Sequence, residues 1–417
     1  MLSELKDKLI VRLKTSRVVP VVFNMAGRLA GTAAKASTRL KPLDRKFHVA
    51  DRLNGPWVLE SNQGPHLWLH GASLGECKML LNLARFLKQD LKNCPRILLT
   101  TQKVEVLPYL EDAGKDLVEV ALAPADVPAA MSNFMRNVRP VALILAENEL
   151  WPGYLSIMSR TAVRPSVALV SGRYRRSLPG MDFASVGFAC MQTGGDRERL
   201  MDMVDRKSFA PVVGGDWKLL PWAKESSDDT ASGSPAKKDV DVAFLSVHFE
   251  EWEALIDILR YCKLRERSVV LMPRRLEEVE LFRHELKSIN AKVLDWPEVR
   301  PGAVALINQF GLTSQVLERS SLAVVGGSFC ARPGIHDFWE PLRALVPTCV
   351  GPYANGHEDA VNELVCKGVV AQVQSASDFE NLDLPAEDRI RECLDSEKTK
   401  ILNSYQQLLV FLEDLLK

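Results

Sequence analysis

From residue 65 onward, short apolar runs alternate with stretches of helical character. The runs His66–His70, Arg96–Thr101, Val118–Ala123, Val141–Ala146, Ser166–Ser171 and Ser185–Met191 each have the length of a strand. Several are apolar throughout, as parallel strands buried on both faces are. The segments between them are mostly long enough for crossover helices, which predicts a doubly wound sheet. The rhythm restarts with Val240–Ser246, Ser268–Met272, Lys292–Leu294, Val304–Ile307, Leu322–Val325 and Thr348–Val350. Between the two sets, Ala223–Asp239 is rich in Ser, Asp, Lys and Ala and reads as a flexible loop. The pattern therefore predicts an α/β protein of two Rossmann-like lobes, residues 53–213 and 214–395, facing a central cleft. Residues 396–417 read as a terminal amphipathic helix.

Composition fits two domains in 417 residues, 47% of them apolar. Lys plus Arg equals Asp plus Glu at 53 each, so a nucleic acid partner is not expected. The balance hides an asymmetry, because residues 1–52 hold twelve Lys/Arg against four Asp/Glu. The longest uncharged run there, Val18–Gly27, is too short to cross a bilayer and is broken by Pro20 and Asn24. Arg12, Lys14 and Arg17 interrupt the apolar core that a secretory signal would need. Apolar positions between the charges suit a segment lying on an anionic membrane surface. The eight cysteines are scattered without a C-x-x-C pair, the usage of reduced thiols in a cytosolic protein, and no metal site is expected from them.

The candidate chemistry gathers at strand ends. The first strand closes in His70-Gly71-Ala72-Ser73-Leu74-Gly75-Glu76, where small residues permit a tight turn into a helix and a first-turn carboxylate is favoured. The fourth closes in Glu147-Asn148-Glu149-Leu150-Trp151-Pro152. Its two acids point the same way if the strand continues, and one of them could pair with Arg173. In the second half, Pro273-Arg274-Arg275 ends a strand as an anion clamp. Gly326-Gly327-Ser328 and Arg332-Pro333-Gly334-Ile335-His336-Asp337-Phe338-Trp339-Glu340-Pro341 form a glycine-rich turn before a helix, which reads as a phosphate cradle.

Taken in order, these segments resemble the Kdo transferases, inverting GT-B enzymes that add 3-deoxy-D-manno-octulosonic acid (Kdo) to a lipid A precursor. The family's H-x-x-S-x-G-E is similar to His70–Glu76, its E-x-E-x-W-P to Glu147–Pro152, and its N-x-R…S to Gly172–Ser177. Its G-N-x-K resembles Gly215–Lys218, its S-T-H-x-G-E Ser246–Glu251, and its P-R-H Pro273–Arg275. Its G-G-S…G-G-H-N-x-x-E-P resembles Gly326–Ser328 with Gly334–Pro341, and its G-P-x-x-x-N is shortened to Gly351–Asn355. Ile335, Asp337, Val247 and Glu250 depart from the signatures, as does Thr100–Val106 from a T-T-x-T-P-T-G stretch.

The resemblance implies transfer of Kdo from CMP-Kdo to lipid IVA at the cytoplasmic face of the bacterial inner membrane, with neither metal nor other cofactor. Glu76 is the expected base, and Glu147 orients the acceptor or tunes charge. Arg274 and the helix start would stabilise the leaving phosphate, while Glu340 would hold the ribose. Ser73, Gly75, Glu149, Arg173, Lys218, Ser246, His248, Gly327, Ser328, His336 and Asn355 complete the expected substrate-binding set. The alternatives are a relative using another sugar nucleotide and a non-catalytic membrane-bound homologue.

Overall fold

The computed structural model describes residues 48–58, 64–161, 164, 166–174, 181–204, 209–225 and 238–417. The basic segment therefore lies outside the described residues up to position 47, as do positions 226–237 of the expected loop. The chain forms two compact units, one running to Glu225 and including Lys398–Lys417, the other Ser226–Glu397.

The first unit is built on seven parallel strands: β1 (His66–Gly71), β2 (Arg96–Thr101), β3 (Glu119–Leu122), β4 (Pro140–Ala146), β5 (Val167–Gly172), β6 (Val186–Met191) and β7 (Val212–Val213). Their order is β3-β2-β1-β4-β5-β6-β7. It reverses between β1 and β4, and the carboxyl ends of strands at such a switch point are where α/β sheets bind ligands. Every residue of β1 is buried, because helices cover both faces of the sheet. The helix Leu74–Asp90 follows β1 and buries Cys77, Leu80, Leu81, Ala84 and Leu87. Trp68 on β1 packs against Phe134 and Tyr154, with ring centroids 4.4 and 4.8 Å away.

The second unit repeats the construction with β8 (Val242–Val247), β9 (Val269–Pro273), β10 (Lys292–Asp295), β11 (Ala303–Leu306), β12 (Ala323–Val325), β13 (Thr348–Val350) and β14 (Val370–Gln372). The order β10-β11-β9-β8-β12-β13-β14 places its switch point between β8 and β12.

Three readings of the sequence need correction. The edge strands β7 and β14 were not expected, because two or three residues are too few to show a period. The terminal helix is longer than expected, running Glu387–Leu416. Its Tyr405 hydroxyl donates to Asp90 at 2.7 Å and its Ser404 accepts from the Trp217 indole at 3.1 Å, fixing the last turns on the first unit. The supposed flexible loop is ordered at both ends. Ala223 is buried in the helix Leu220–Lys224, and Asp239 forms a two-pronged ion pair with Arg319 at 2.8 and 2.9 Å. Among the described residues no helix is long and apolar enough to cross a membrane.

Candidate functional site

In the first unit, Ser73 caps the helix after β1, and its hydroxyl accepts from the Glu76 N–H at 3.3 Å. The Glu76 carboxylate turns back to accept from the N–H groups of Ala72 at 2.6 Å and Ser73 at 3.0 Å. Gly71 leaves room for this return, since a Cβ there would lie 3.0 Å from that of Glu76. Burial, with the charges of Glu149 and Glu147 adding to it, raises the Glu76 pKa above the ordinary carboxylate value.

The two acids after β4 do not share a direction. The strand ends at Ala146, and Glu147 takes a left-handed conformation (φ 45°) that turns the chain. Its buried carboxylate meets the Arg173 guanidinium and, at 2.6 Å, the Lys218 ammonium. Burial alone would raise the Glu147 pKa, but Lys218 and Arg173 outweigh it and hold the group below its usual range. Glu149 instead accepts from the Trp151 indole at 2.7 Å and lies 3.4 Å from Nε2 of buried His70. Lys218 passes beside Gly75, whose Cβ would sit 3.7 Å from the lysine Cε. Buried Asp216 stands under the same cluster and accepts from the Lys218 N–H at 3.0 Å. Burial raises the Asp216 pKa.

In the second unit, Ser246 also has a left-handed conformation (φ 54°), at a register shift between Phe244 and Val247. His248 follows, and its Nε2 lies 2.6 Å from Nε2 of His336. Glu251 organises the glycine-rich turn. Its carboxylate, 1% exposed, accepts from the N–H groups of His248 (2.8 Å), Gly327 (2.8 Å) and Phe329 (2.9 Å). Two donors of the expected phosphate cradle are thus already bound to an internal anion. The following helix, Trp339–Arg343, has five residues, too few for a strong dipole. The cradle reading is corrected on both counts: the turn is held in shape from within. Gly327 (φ 74°) must remain glycine, since a Cβ would come 2.0 Å from the Gly334 carbonyl oxygen.

Ser328 is fully buried. Its hydroxyl donates to the Val325 carbonyl at 2.5 Å and accepts from Gly351 N–H at 2.7 Å, which ties the turn to the loop after β13. Asn355 donates to the Ala331 carbonyl. Arg274 is exposed, its backbone N–H bonded to Val247, and its side chain forms no ion pair among the described residues. Arg275 instead bridges Glu250 at 3.1 Å and Glu278 at 2.7 Å. His248, Glu250 and Glu278 could together be taken for a metal site, but that guanidinium already lies against both carboxylates. Glu340 is half-buried in the first turn after Asp337, and burial raises its pKa.

Residues 43–214 match the family model described as 3-deoxy-D-manno-octulosonic-acid transferase (Kdo transferase). Over those residues the chain is similar to this family. A Kdo transferase of Aquifex aeolicus is 25% identical over 336 residues, covering 80% of this chain and 89% of the relative. That of Chlamydophila psittaci is 24% identical over 335 residues, 73% of each chain. A solved glycosyltransferase structure from Rickettsia africae has a TM-score of 0.53 and 10% identity, covering 85% of this chain and 99% of the other. That likeness is one of fold, the GT-B class of two parallel-sheet units.

The departures from Kdo transferase motifs have local explanations. Asp337 caps the helix after the turn, accepting from Trp339 N–H at 2.9 Å and Glu340 N–H at 3.1 Å. Glu250 is half of the Arg275 bridge, and Val247 and Ile335 are buried. Gln102 accepts from the Arg52 guanidinium at 2.7 Å, fixing the chain ahead of β1 to the loop after β2. The sequence does not single out His70, Asp216 and Glu251, which the structure brings into these clusters. All three stand inside the family-like motifs, and only their hydrogen bonds separate them from ordinary core polar groups.

Proposed function

We propose that this protein transfers Kdo from CMP-Kdo to a lipid A precursor, lipid IVA, with inversion, at the cytoplasmic face of the bacterial inner membrane. The observation that supports this most is Glu76, a carboxylate with raised pKa at the switch point of the first sheet, beside the Glu147–Arg173–Lys218 cluster. In this reading the first unit takes the acceptor. Glu76 removes the proton of its attacking hydroxyl as the oxygen bonds to the anomeric carbon. The bond from that carbon to the phosphate oxygen breaks, and CMP leaves with the electron pair. Ser73 and Gly75 shape the turn that presents the base, while Arg173 and Lys218 hold Glu147 ionised. Glu149 and Glu147 keep the proton affinity of Glu76 high.

The second unit takes the nucleotide. Arg274 supplies positive charge to the leaving phosphate, Glu340 receives the ribose hydroxyls, and Ser246, His248, Gly327, Ser328, His336 and Asn355 form and line the loops. No step requires a metal ion. The basic segment 1–52 holds the enzyme at an anionic surface, beside an acceptor embedded in lipid.

The test combines a thermal-shift screen of CMP, UMP and UDP with a transfer assay on lipid IVA, using CMP-Kdo generated in place, with and without EDTA. Stabilisation by CMP and transfer that persists in EDTA are expected. Stabilisation by UDP alone would point to another donor, and transfer abolished by EDTA and restored by Mg²⁺ would overturn the metal-free mechanism.

A further inference from the structure

Two imidazoles meet at the carboxyl edge of the second sheet, at its switch point. His248 follows β8, His336 lies in the loop after β12, and the rings meet edge to edge, their centroids 4.9 Å apart and their planes 23° from parallel. Their Nε2 atoms are 2.6 Å apart. At that distance one nitrogen must carry a proton and the other must offer its lone pair. Two bare lone pairs would repel, and two N–H groups would collide. One ring is then protonated on Nε2 with a bare Nδ1, and the other carries its proton on Nδ1. His248 Nδ1 is buried without a hydrogen-bond partner among the described residues, which makes His248 the Nε2 donor and its Nδ1 the bare position.

The charged groups facing the pair are partly spent on one another. Glu251 is bound by three backbone N–H groups, and Arg275 bridges Glu250 and Glu278. The charge of Arg274 acts on His336, lowering its pKa, and Arg274 has no ion pair among the described residues. Because Glu251 already occupies N–H groups of the turn, an incoming phosphate must find its charge elsewhere.

We propose that His248 and His336 share the proton of their Nε2–H···Nε2 bond and that the neutral pair takes up one further proton when a nucleotide phosphate binds, so that the pair, with Arg274, is the proton-linked cation of the nucleotide site. The proposal rests on the reading that the second unit takes the nucleotide. The added proton comes from solvent to the bare Nδ1, leaving the Nε2–H···Nε2 bond intact. The empty site keeps the pair neutral. Burial, then His248 and Arg274, bring His336 down to about 4, and burial also lowers His248. A phosphate reverses the sign of the local field and draws the proton in.

The test is calorimetric titration of the full chain with CMP between about pH 6 and 8, in buffers of different ionisation enthalpy. Wild-type protein should take up protons in an amount rising towards one per CMP at the acid end, with affinity falling by up to about tenfold per pH unit. CMP binding as the dianion releases protons, so the measurement is the difference between wild type and the variants His336→Asn and His248→Asn. Both variants should lose the uptake and lose more affinity at pH 6 than at pH 8. Cytidine should show no uptake. Equal proton stoichiometry in wild type and variants overturns the inference while leaving the nucleotide site standing. Absence of CMP binding to wild type removes the site reading and the inference with it. Should the variants not fold, imidazole nitrogen NMR of the wild type decides. A new Nδ1 proton on adding CMP supports the proposal, and unchanged nitrogen shifts overturn it.

Discussion

Glu76 combines two demands that pull against each other. As the third residue of its helix it is held by two backbone N–H groups, which favour the ionised form. Burial and the neighbouring acids Glu149 and Glu147 nevertheless leave its pKa raised. A carboxyl whose pKa is higher folded than unfolded adds stability below its unfolded pKa and loses it as pH rises through the folded one. At neutral pH the ionised group therefore costs stability. Glu76→Gln should abolish transfer without lowering the melting temperature at pH 7. Near-wild-type turnover would take Glu76 out of the base role. Glu149→Gln removes a charge that raises the Glu76 pKa, so Glu76 stays ionised to lower pH. The acidic limb of the kcat/KM profile should then move to lower pH. A limb that stays in place would show that Glu149 acts on the acceptor rather than on the base.

At the scale of elements, both units gather polar side chains where a strand stops. Glu147, Ser171 and Ser246 have left-handed conformations (φ 45°, 53° and 54°), and each ends or bends its strand near the carboxyl edge. Such conformations are uncommon for residues with a side chain and are retained where the surroundings fix them. At Glu147 the fixing partners come from the loop after β5 and from the segment joining β7 to the helix Leu220–Lys224. The alternation of β4 could not reveal them. In the second unit the fixing element is Glu251. Its replacement by Ala leaves the N–H groups of Gly327 and Phe329 buried without acceptors, a cost on the order of 3 kcal/mol. The variant should melt at lower temperature and lose most CMP affinity, as read by thermal melting and titration. Retention of both would mean that the turn keeps its shape by other contacts.

For the whole molecule, the segment ahead of the folded units can be tested directly. Removing residues 1–40 deletes eight of the twelve basic residues that precede position 53 and leaves Arg52 with its partner Gln102. Each basic residue near an anionic surface contributes about 1 kcal/mol, reduced by salt. The shortened protein should fold and bind CMP, yet lose sedimentation with anionic vesicles. It should also lose more activity on vesicle-borne than on detergent-dispersed lipid. Unfolding on truncation would make the segment part of a core, and unchanged vesicle binding would place the membrane contact elsewhere.

What the sequence determined by itself is whatever depends on neighbours along the chain. Apolar runs at strand length, separated by helical stretches, specify two parallel sheets. Small residues and acids just past β1, β4, β8 and β12 mark the carboxyl edge of each sheet. The local cap of Ser73 and Glu76 belongs to the same class, since three residues in a helix turn suffice for it. Tertiary structure decided how far those residues cooperate. Glu147 and Glu149 part because one φ angle changes sign, and their partners are Arg173 and Lys218 for one, His70 and Trp151 for the other. Glu251 takes the N–H groups of a turn some 76 positions away, and His248 meets His336 across 88. A hydrogen bond depends on distance and angle between groups that only the packed sheets bring together, and no local period encodes such a pairing.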